Sequence, residues 1–322
     1  MITSKEFVKN VVHFKGDERT PILYLNRDVE KSDARFVSYS APNCFVPKTP
    51  GESEWGFVWE SLDGTMGQPK NPPLKNGYSP WKTLNKPNPH DASRFANMKD
   101  FVQRNKEKYL IGGLGITGFN ILMFIRGTEE TMEDLYLNPD ELMTVFEDII
   151  NFETGIIENY CKEEYIDCVS FGDDWGTQNT LMIDPEMFRK FFKPYYKKQF
   201  DIIKSYGKDV YFHSCGQVKD ILDDLIEIGV DIFNLNQPDI FPLPYLEKYK
   251  GKVCFNCPVD HQTVAINGTR DEIFEYVSDL KKHLSNGKGG LIANIEEYKS
   301  VGMSEENYLA ICEAFEKLRR GE

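Results

Sequence analysis

Three polar clusters in this chain have the composition of a reactive site. His213 and Cys215 stand two residues apart, and imidazole and thiolate are both good ligands for zinc. Just past the end of a strand, side chains at i and i+2 point to the same side, so the pair can grip one ion. The competing reading is a buried cysteine beside a hydrogen-bonded histidine. A metal also needs a third ligand from another strand end, for which Cys257 and Glu297 lead, with Cys254 and Asp174 behind them. Asp173 and Asp174 form the second cluster, suited to general-base chemistry, to metal binding, or to capping a helix. The third is spread over further strand ends: Asn236 and Gln237, Asp260, Glu296. Trp175 is placed to shape an apolar pocket beside them.

These residues depend on the elements that carry them. From about residue 165 onward, short apolar runs alternate with amphipathic helical stretches. Strands are expected at 168–171, 209–212, 231–235, 253–256 and 290–294, each followed by a turn and a helix. Asp184 and Ser304 are expected helix caps. Four earlier strand candidates, at 22–25, 36–39, 109–112 and within 55–59, bring the count close to eight. Short turns between alternating strands and helices imply parallel pairing. The expected fold is α/β, a (β/α)8 TIM barrel forming one domain over residues 1–322, with a doubly wound sheet as its rival. In such a barrel the active site lies at the carboxyl ends of the strands, where the polar clusters fall. Residues 42–90 interrupt the pattern in the N-terminal half with a Pro- and Trp-rich insertion. It is either an excursion packed on the outside or an arm facing the substrate.

Composition narrows the function. The 322 residues include 38 Lys and Arg against 51 Asp and Glu, a net charge of −13. This argues against a nucleic-acid binder, which needs a basic face, and against adhesion to an anionic membrane. No apolar run approaches the length of a membrane span. The opening residues lack the apolar core of a secretion signal, so the seven cysteines are expected to be reduced thiols in a cytoplasmic protein. Cys44, Cys161, Cys168 and Cys312 read as small buried hydrophobes. Gly113, Gly115 and Gly118 match a dinucleotide-binding fingerprint, but no clear strand–helix–strand unit surrounds them. A tight barrel turn is the expected reading.

Several stretches resemble one family. They are residues 171–178 (FGDDWGTQ), 182–188 (MIDPEMF), 192–195 (FKPY), 212–216 (FHSCG), 225–231 (LIEIGVD) and 236–238 (NQP), with 289–292 (GGLI) and 306–310 (ENYLA) near the end. Together they resemble the uroporphyrinogen decarboxylase superfamily, in particular its corrinoid-dependent methyltransferase branch, to which 55–59 (WGFVW) and 67–69 (GQP) are also similar. The resemblance covers roughly 50–315 and implies a (β/α)8 barrel. True decarboxylases carry an arginine-rich motif that grips a polycarboxylate porphyrin. Residues 19–27 (RTPILYLNR) keep Arg19 and Pro21 but lack the later arginines.

The methyltransferase branch implies zinc held by His213, Cys215 and a ligand after the last strand. In relatives that methylate a thiol that ligand is a cysteine, and the matching position here is Glu297. A carboxylate makes the site less negative and more Lewis-acidic, which suits an ether oxygen better than a soft thiol. The resemblance therefore implies a zinc enzyme that moves a methyl group from a small O-methyl donor, an aryl methyl ether, to the cobalt of a corrinoid (cobalamin) on a separate partner protein. Asp173 or Asp174 would handle a proton, and Trp175, Asn236, Gln237 and Asp260 would contact substrate. The alternatives are transfer from a methylcorrinoid protein to a thiol or folate, a metal-free decarboxylase, and a non-catalytic metal-binding barrel.

Overall fold

The computed structural model describes residues 2–61 and 67–322. Eight parallel strands form its main sheet: β1 (Ile22–Tyr24), β2 (Ala34–Ser38), β3 (Tyr109–Ile116), β4 (Ile166–Gly172), β5 (Asp209–Ser214), β6 (Ile232–Leu235), β7 (Cys254–Cys257) and β8 (Leu291–Ile295). Their order is β1-β8-β7-β6-β5-β4-β3-β2, so the sheet runs almost once around a barrel. This is the expected TIM barrel, and the doubly wound rival is excluded. Between β1 and β2 a single backbone bond, from the Asp33 N–H to the Ile22 carbonyl at 2.8 Å, stands in place of a ladder, and side chains supply the rest. The Asp33 carboxylate accepts the Ile22 N–H at 3.0 Å, and Ser32 Oγ accepts the Tyr24 N–H at 2.8 Å.

The barrel interior is filled at its amino end by Leu23, Ala34, Tyr109, Ile111, Cys168, Tyr211, Ile232, Cys254 and Ile292. Helix α1 (Ser4–Val12) plugs that end with Phe7, Val8, Val11 and Val12. The larger apolar layer lies between the strands and the outer helices. Among these are α2 (Gly118–Arg126), α3 (Pro139–Lys162), α4 (Lys193–Ser205), α5 (Lys219–Ile228), α6 (Arg270–Leu284) and α7 (Glu305–Arg320). Asp184 and Ser304 cap as expected, accepting the N–H of Glu186 and of Asn307. Of the four cysteines expected to be buried, Cys161 and Cys168 are; Cys312 is half-buried and Cys44 is exposed.

The insertion, whose residues 62–66 lie outside the described residues, contributes no barrel strand. Val58–Glu60 and Gln68–Lys70 pair instead as a separate antiparallel hairpin. Trp55 stacks on Trp81 (centroids 6.1 Å apart) and meets Phe152 of α3 edge-on. Arg126 of α2 donates to the carbonyls of Leu74 and Lys75. The described part of the insertion is thus an outer layer on α2 and α3, and among the described residues its Trp59 lines the cavity at the barrel mouth.

Candidate metal centre at the barrel mouth

Side chains alternate across a strand, and alternation sets the inner wall of this barrel. Above the apolar floor, the next inward positions are Leu25, Phe36, Ser170, Tyr211, Asn234, Asn256 and Asn294. One step higher come Ser38, His213, Asn236 and Glu296. All but the fully buried Asn256 line a cavity of about 490 Å³ that opens at the carboxyl ends of the strands, its outer wall completed by Trp59 and Phe124.

On one side of this cavity stand Asp174, His213 and Cys215, whose donor atoms lie within 4.8 Å of one another. His213 Nε2 is 3.5 Å from Cys215 Sγ and 3.4 Å from Asp174 Oδ1. Two loops hold this spacing. Strand pairing places Gly172 opposite His213, and beyond it the Cys215 N–H donates to Asp174 Oδ1 at 2.7 Å, while the Trp175 N–H donates to Ser214 Oγ at 3.0 Å. Gly176 and Gly216 then press backbone to backbone. A Cβ on Gly216, whose φ is +78°, would come within 2.3 Å of Gly176, and one on Gly176 within 2.4 Å of the Gln217 nitrogen. Only glycine permits that approach.

The tautomer of His213 follows from the asparagines beneath it. Asn234 Nδ2 donates to the Asn256 carbonyl at 2.7 Å and to Asn256 Oδ1 at 3.1 Å, which turns Asn234 Oδ1 toward His213. Nδ1 of the ring, 2.6 Å away, must therefore be the donor, so Nε2 is the nitrogen that would meet a metal once its own proton is displaced. Asn256 is fixed in turn, accepting from Tyr211 Oη (2.8 Å) and donating to the Ile292 carbonyl (3.1 Å). Electrostatics agree with a cation site. Burial pushes the His213 pKa down, but Asp174 and Cys215 outweigh it and hold the ring well above its usual value. Burial raises the Asp174 carboxyl, yet His213 and the Cys215 N–H hold it below the carboxylate range. One imidazole, one sulfur and one carboxylate make a donor set that would fit zinc.

Asp173 has a different role from its neighbour. It is fully buried and caps α2, accepting the N–H of Phe119 and of Asn120, both at 2.9 Å, and the hydroxyl of Tyr196. Glu153 accepts the preceding N–H, that of Gly118, at 2.8 Å. Burial pushes Asp173 well above the carboxylate range and Glu153 up to about 7. The GxGxxG segment does lead from a strand into a helix, a nine-residue one, but these two carboxylates already occupy the helix terminus where a phosphate would sit.

The other expected site residues divide. Asn236 lines the cavity. Gln237 instead supports the Cys215 loop, its Oε1 accepting the Gly216 N–H at 3.1 Å. Trp175 is no pocket wall: it is fully buried, stacked on Phe119 at 4.3 Å and packed against Phe188 and Phe192. Asp260 lies outside the cavity wall and caps its own turn through Thr263.

The two leading third-ligand candidates are both corrected, for one reason. Alternation turns Cys257 outward into the core, where burial pushes its thiol up to about 12, and Cys254 belongs to the amino-end floor. It also turns Glu297 away from the cavity, onto Arg27 at 2.8 Å and Lys299 at 3.1 Å, while Glu296 faces in. The carboxylate that stands beside His213 and Cys215 is that of Asp174. The asparagine network was missed, although its signal was present: β6, β7 and β8 each carry one Asn inside an apolar run (IFNL, CFNC, LIANI).

An α/β barrel with polar groups at its carboxyl end belongs to a class of enzyme scaffolds shared by many chemistries. The family model for uroporphyrinogen decarboxylase matches residues 63–318, and the chain belongs to that family. No curated protein sequence matches. Among solved structures, a methyltransferase from Methanosarcina mazei superposes with a TM-score of 0.70 at 13% identity, covering 98% of this chain and 99% of that one. Xylanase 10B from Thermotoga maritima aligns over 72% of this chain and 82% of its own, at 10% identity and a TM-score of 0.42.

Proposed function

We propose that the protein is a zinc-dependent methyltransferase that takes a methyl group from an O-methyl donor, an aryl methyl ether, and passes it to the cobalt of a corrinoid on a separate protein. The observation that carries this reading is the Asp174, His213 and Cys215 group facing the cavity. The end-to-end likeness to a methyltransferase fold supports it. So does the cavity wall, which among the described residues holds no lysine or arginine and so offers a polycarboxylate porphyrin no counter-charge.

Asp174, His213 and Cys215 would hold the zinc. When bound, it supplies Lewis-acid polarisation of the ether oxygen, whose phenoxide is otherwise a poor leaving group. Asn234 keeps the proton on His213 Nδ1, and with it the ring's orientation. Leu25, Phe36, Trp59 and Phe124 give an aromatic ring apolar contact and exclude water. The cavity's opening at the strand ends is where the corrinoid carrier docks.

Metal analysis after exhaustive dialysis is the first test. Wild-type protein should keep about one zinc per chain, and Cys215→Ser and Asp174→Asn should lose it. Incubation with a reduced corrinoid carrier and a panel of methoxylated arenes should then produce methylcobalt absorbance. Full activity in metal-free protein would overturn the zinc assignment. No methylcobalt from any arene would overturn the donor.

A further inference from the structure

A second cavity, of about 380 Å³, adjoins the first at the carboxyl ends of β2 and β3. Ser38, Gly113, Gly115 and Ile116 line both. This shared wall carries little side chain. Two of its four residues are glycines, and a Cβ on Gly115 would meet nothing within 4 Å. Between Gly113 and Ile116 the pairing of β3 with β4 slips its register, as at a bulge that re-aims a strand end. Ile116, 43% exposed, is the one bulky side chain of the four.

Beyond the divide the wall is aromatic. Phe45 and Trp55 of the insertion face Tyr39 and Phe152 across the second cavity. Its wall also holds three carboxylates among the described residues, all engaged by the protein. Glu54 grips Arg94 with both oxygens, at 2.8 and 2.5 Å. Glu153 accepts from Gly118 and Gln199, and Glu52 accepts the N–H of Lys48 and of Thr49. What remains for a ligand is ring faces and edges, against which an aromatic group gains more than an alkyl group of equal area. The metal ligands stand in the first cavity, so the second suits a part of the donor remote from the reacting bond.

On the reading of the first cavity as the methyl donor's site, we propose that the donor has two aromatic rings. Its methoxylated ring stands before Asp174, His213 and Cys215. A short flexible linker crosses at Gly113 and Gly115, and the second ring lies among Phe45, Trp55 and Phe152. That ring contributes binding and orientation and takes no part in the transfer.

The test is titration of the metal-loaded protein by its tryptophan fluorescence, since Trp59 lines the first cavity and Trp55 the second. The ligands are methoxybenzene, para-methoxybibenzyl (two rings joined by two carbons) and para-hexylmethoxybenzene. The two-ring compound should bind about 10- to 100-fold more tightly than methoxybenzene, the worth of burying one more large apolar group, and more tightly than the hexyl compound. Ala41 is exposed and Phe45 half-buried, and both line the second cavity and not the first. Ala41→Phe, which fills that cavity, and Phe45→Ala, which removes a wall, should each cost the two-ring compound about tenfold and leave methoxybenzene unchanged. If one variant fails to fold by circular dichroism, the other and the wild-type ranking decide the matter. A two-ring compound no tighter than methoxybenzene or than the hexyl compound, or a gain that survives in the folded variants, overturns this proposal and leaves the aryl-ether reading standing. Binding of none of the three overturns that reading, and the proposal with it.

Discussion

At the scale of single residues, adjacent groups of the same type do opposite work. Asp174 faces the cavity while Asp173 caps a helix; Glu296 faces in while Glu297 holds Arg27. His213 and Cys215 were legible as a pair because both stand at one strand end, and the structure brings them within 3.5 Å. The third partner was not, because two acidic positions one residue apart differ only in which face of the strand they extend. Asn234 is a positioning residue for His213. Asn234→Leu is expected to weaken zinc binding by about 10- to 100-fold, the usual effect of removing a ligand's hydrogen-bond partner, as read by competition with a chelating dye. Glu153 gives a pH-dependent stability. Its carboxyl is raised from 4.5 to about 7 by burial. Below 4.5 it is protonated in the folded and the unfolded chain alike and contributes no penalty. From there to about 7 the unfolded chain ionises while the folded one resists, so stability falls as pH rises, by about 3 kcal/mol in all. Glu153→Gln should flatten that slope in urea titrations from pH 4 to 8. The new amide keeps an acceptor for the Gly118 N–H, and Gln199, whose Nε2 donates to the Glu153 carboxylate at 3.0 Å, turns its amide over to accept from the new NH2.

At the scale of elements, the strands of the C-terminal half fell within a few residues of expectation, since each is an apolar run between turns with a helical stretch on either side. The candidate within residues 55–59 became a hairpin strand outside the barrel, because a short apolar run reads alike in a core strand and in an outer layer. Helix α2 was under-read for a related reason: it is buried nearly all round, so it has no polar face to mark its period. The contact of Gly176 with Gly216 left a clearer trace, two glycines each just beyond a strand end. A methyl group on Gly176 must push the two loops apart. Gly176→Ala should keep the barrel's circular dichroism, cost about 1–3 kcal/mol, and release zinc at chelator concentrations that wild type withstands.

At the scale of the whole molecule, the barrel was legible from strand count and alternation with helices, but its seam was not, because nothing in a sequence says which neighbouring strands leave their ladder unmade. Here the ring is joined between β1 and β2 by the side chains of Ser32 and Asp33 and one backbone bond, Asp33 N–H to the Ile22 carbonyl, in place of a ladder. No described helix is long and apolar enough to cross a membrane. The seam gives the barrel a preferred line of breathing. Amide protons at Ile22 and Tyr24 should exchange with deuterium faster than those of β4 or β5, and Asp33→Asn should speed them further. Leu25, one residue past the end of β1, and Phe36 of β2 both line the cavity. A molecule resting against both works as a staple across the split, so slowed exchange at Ile22 would announce its arrival before any product formed.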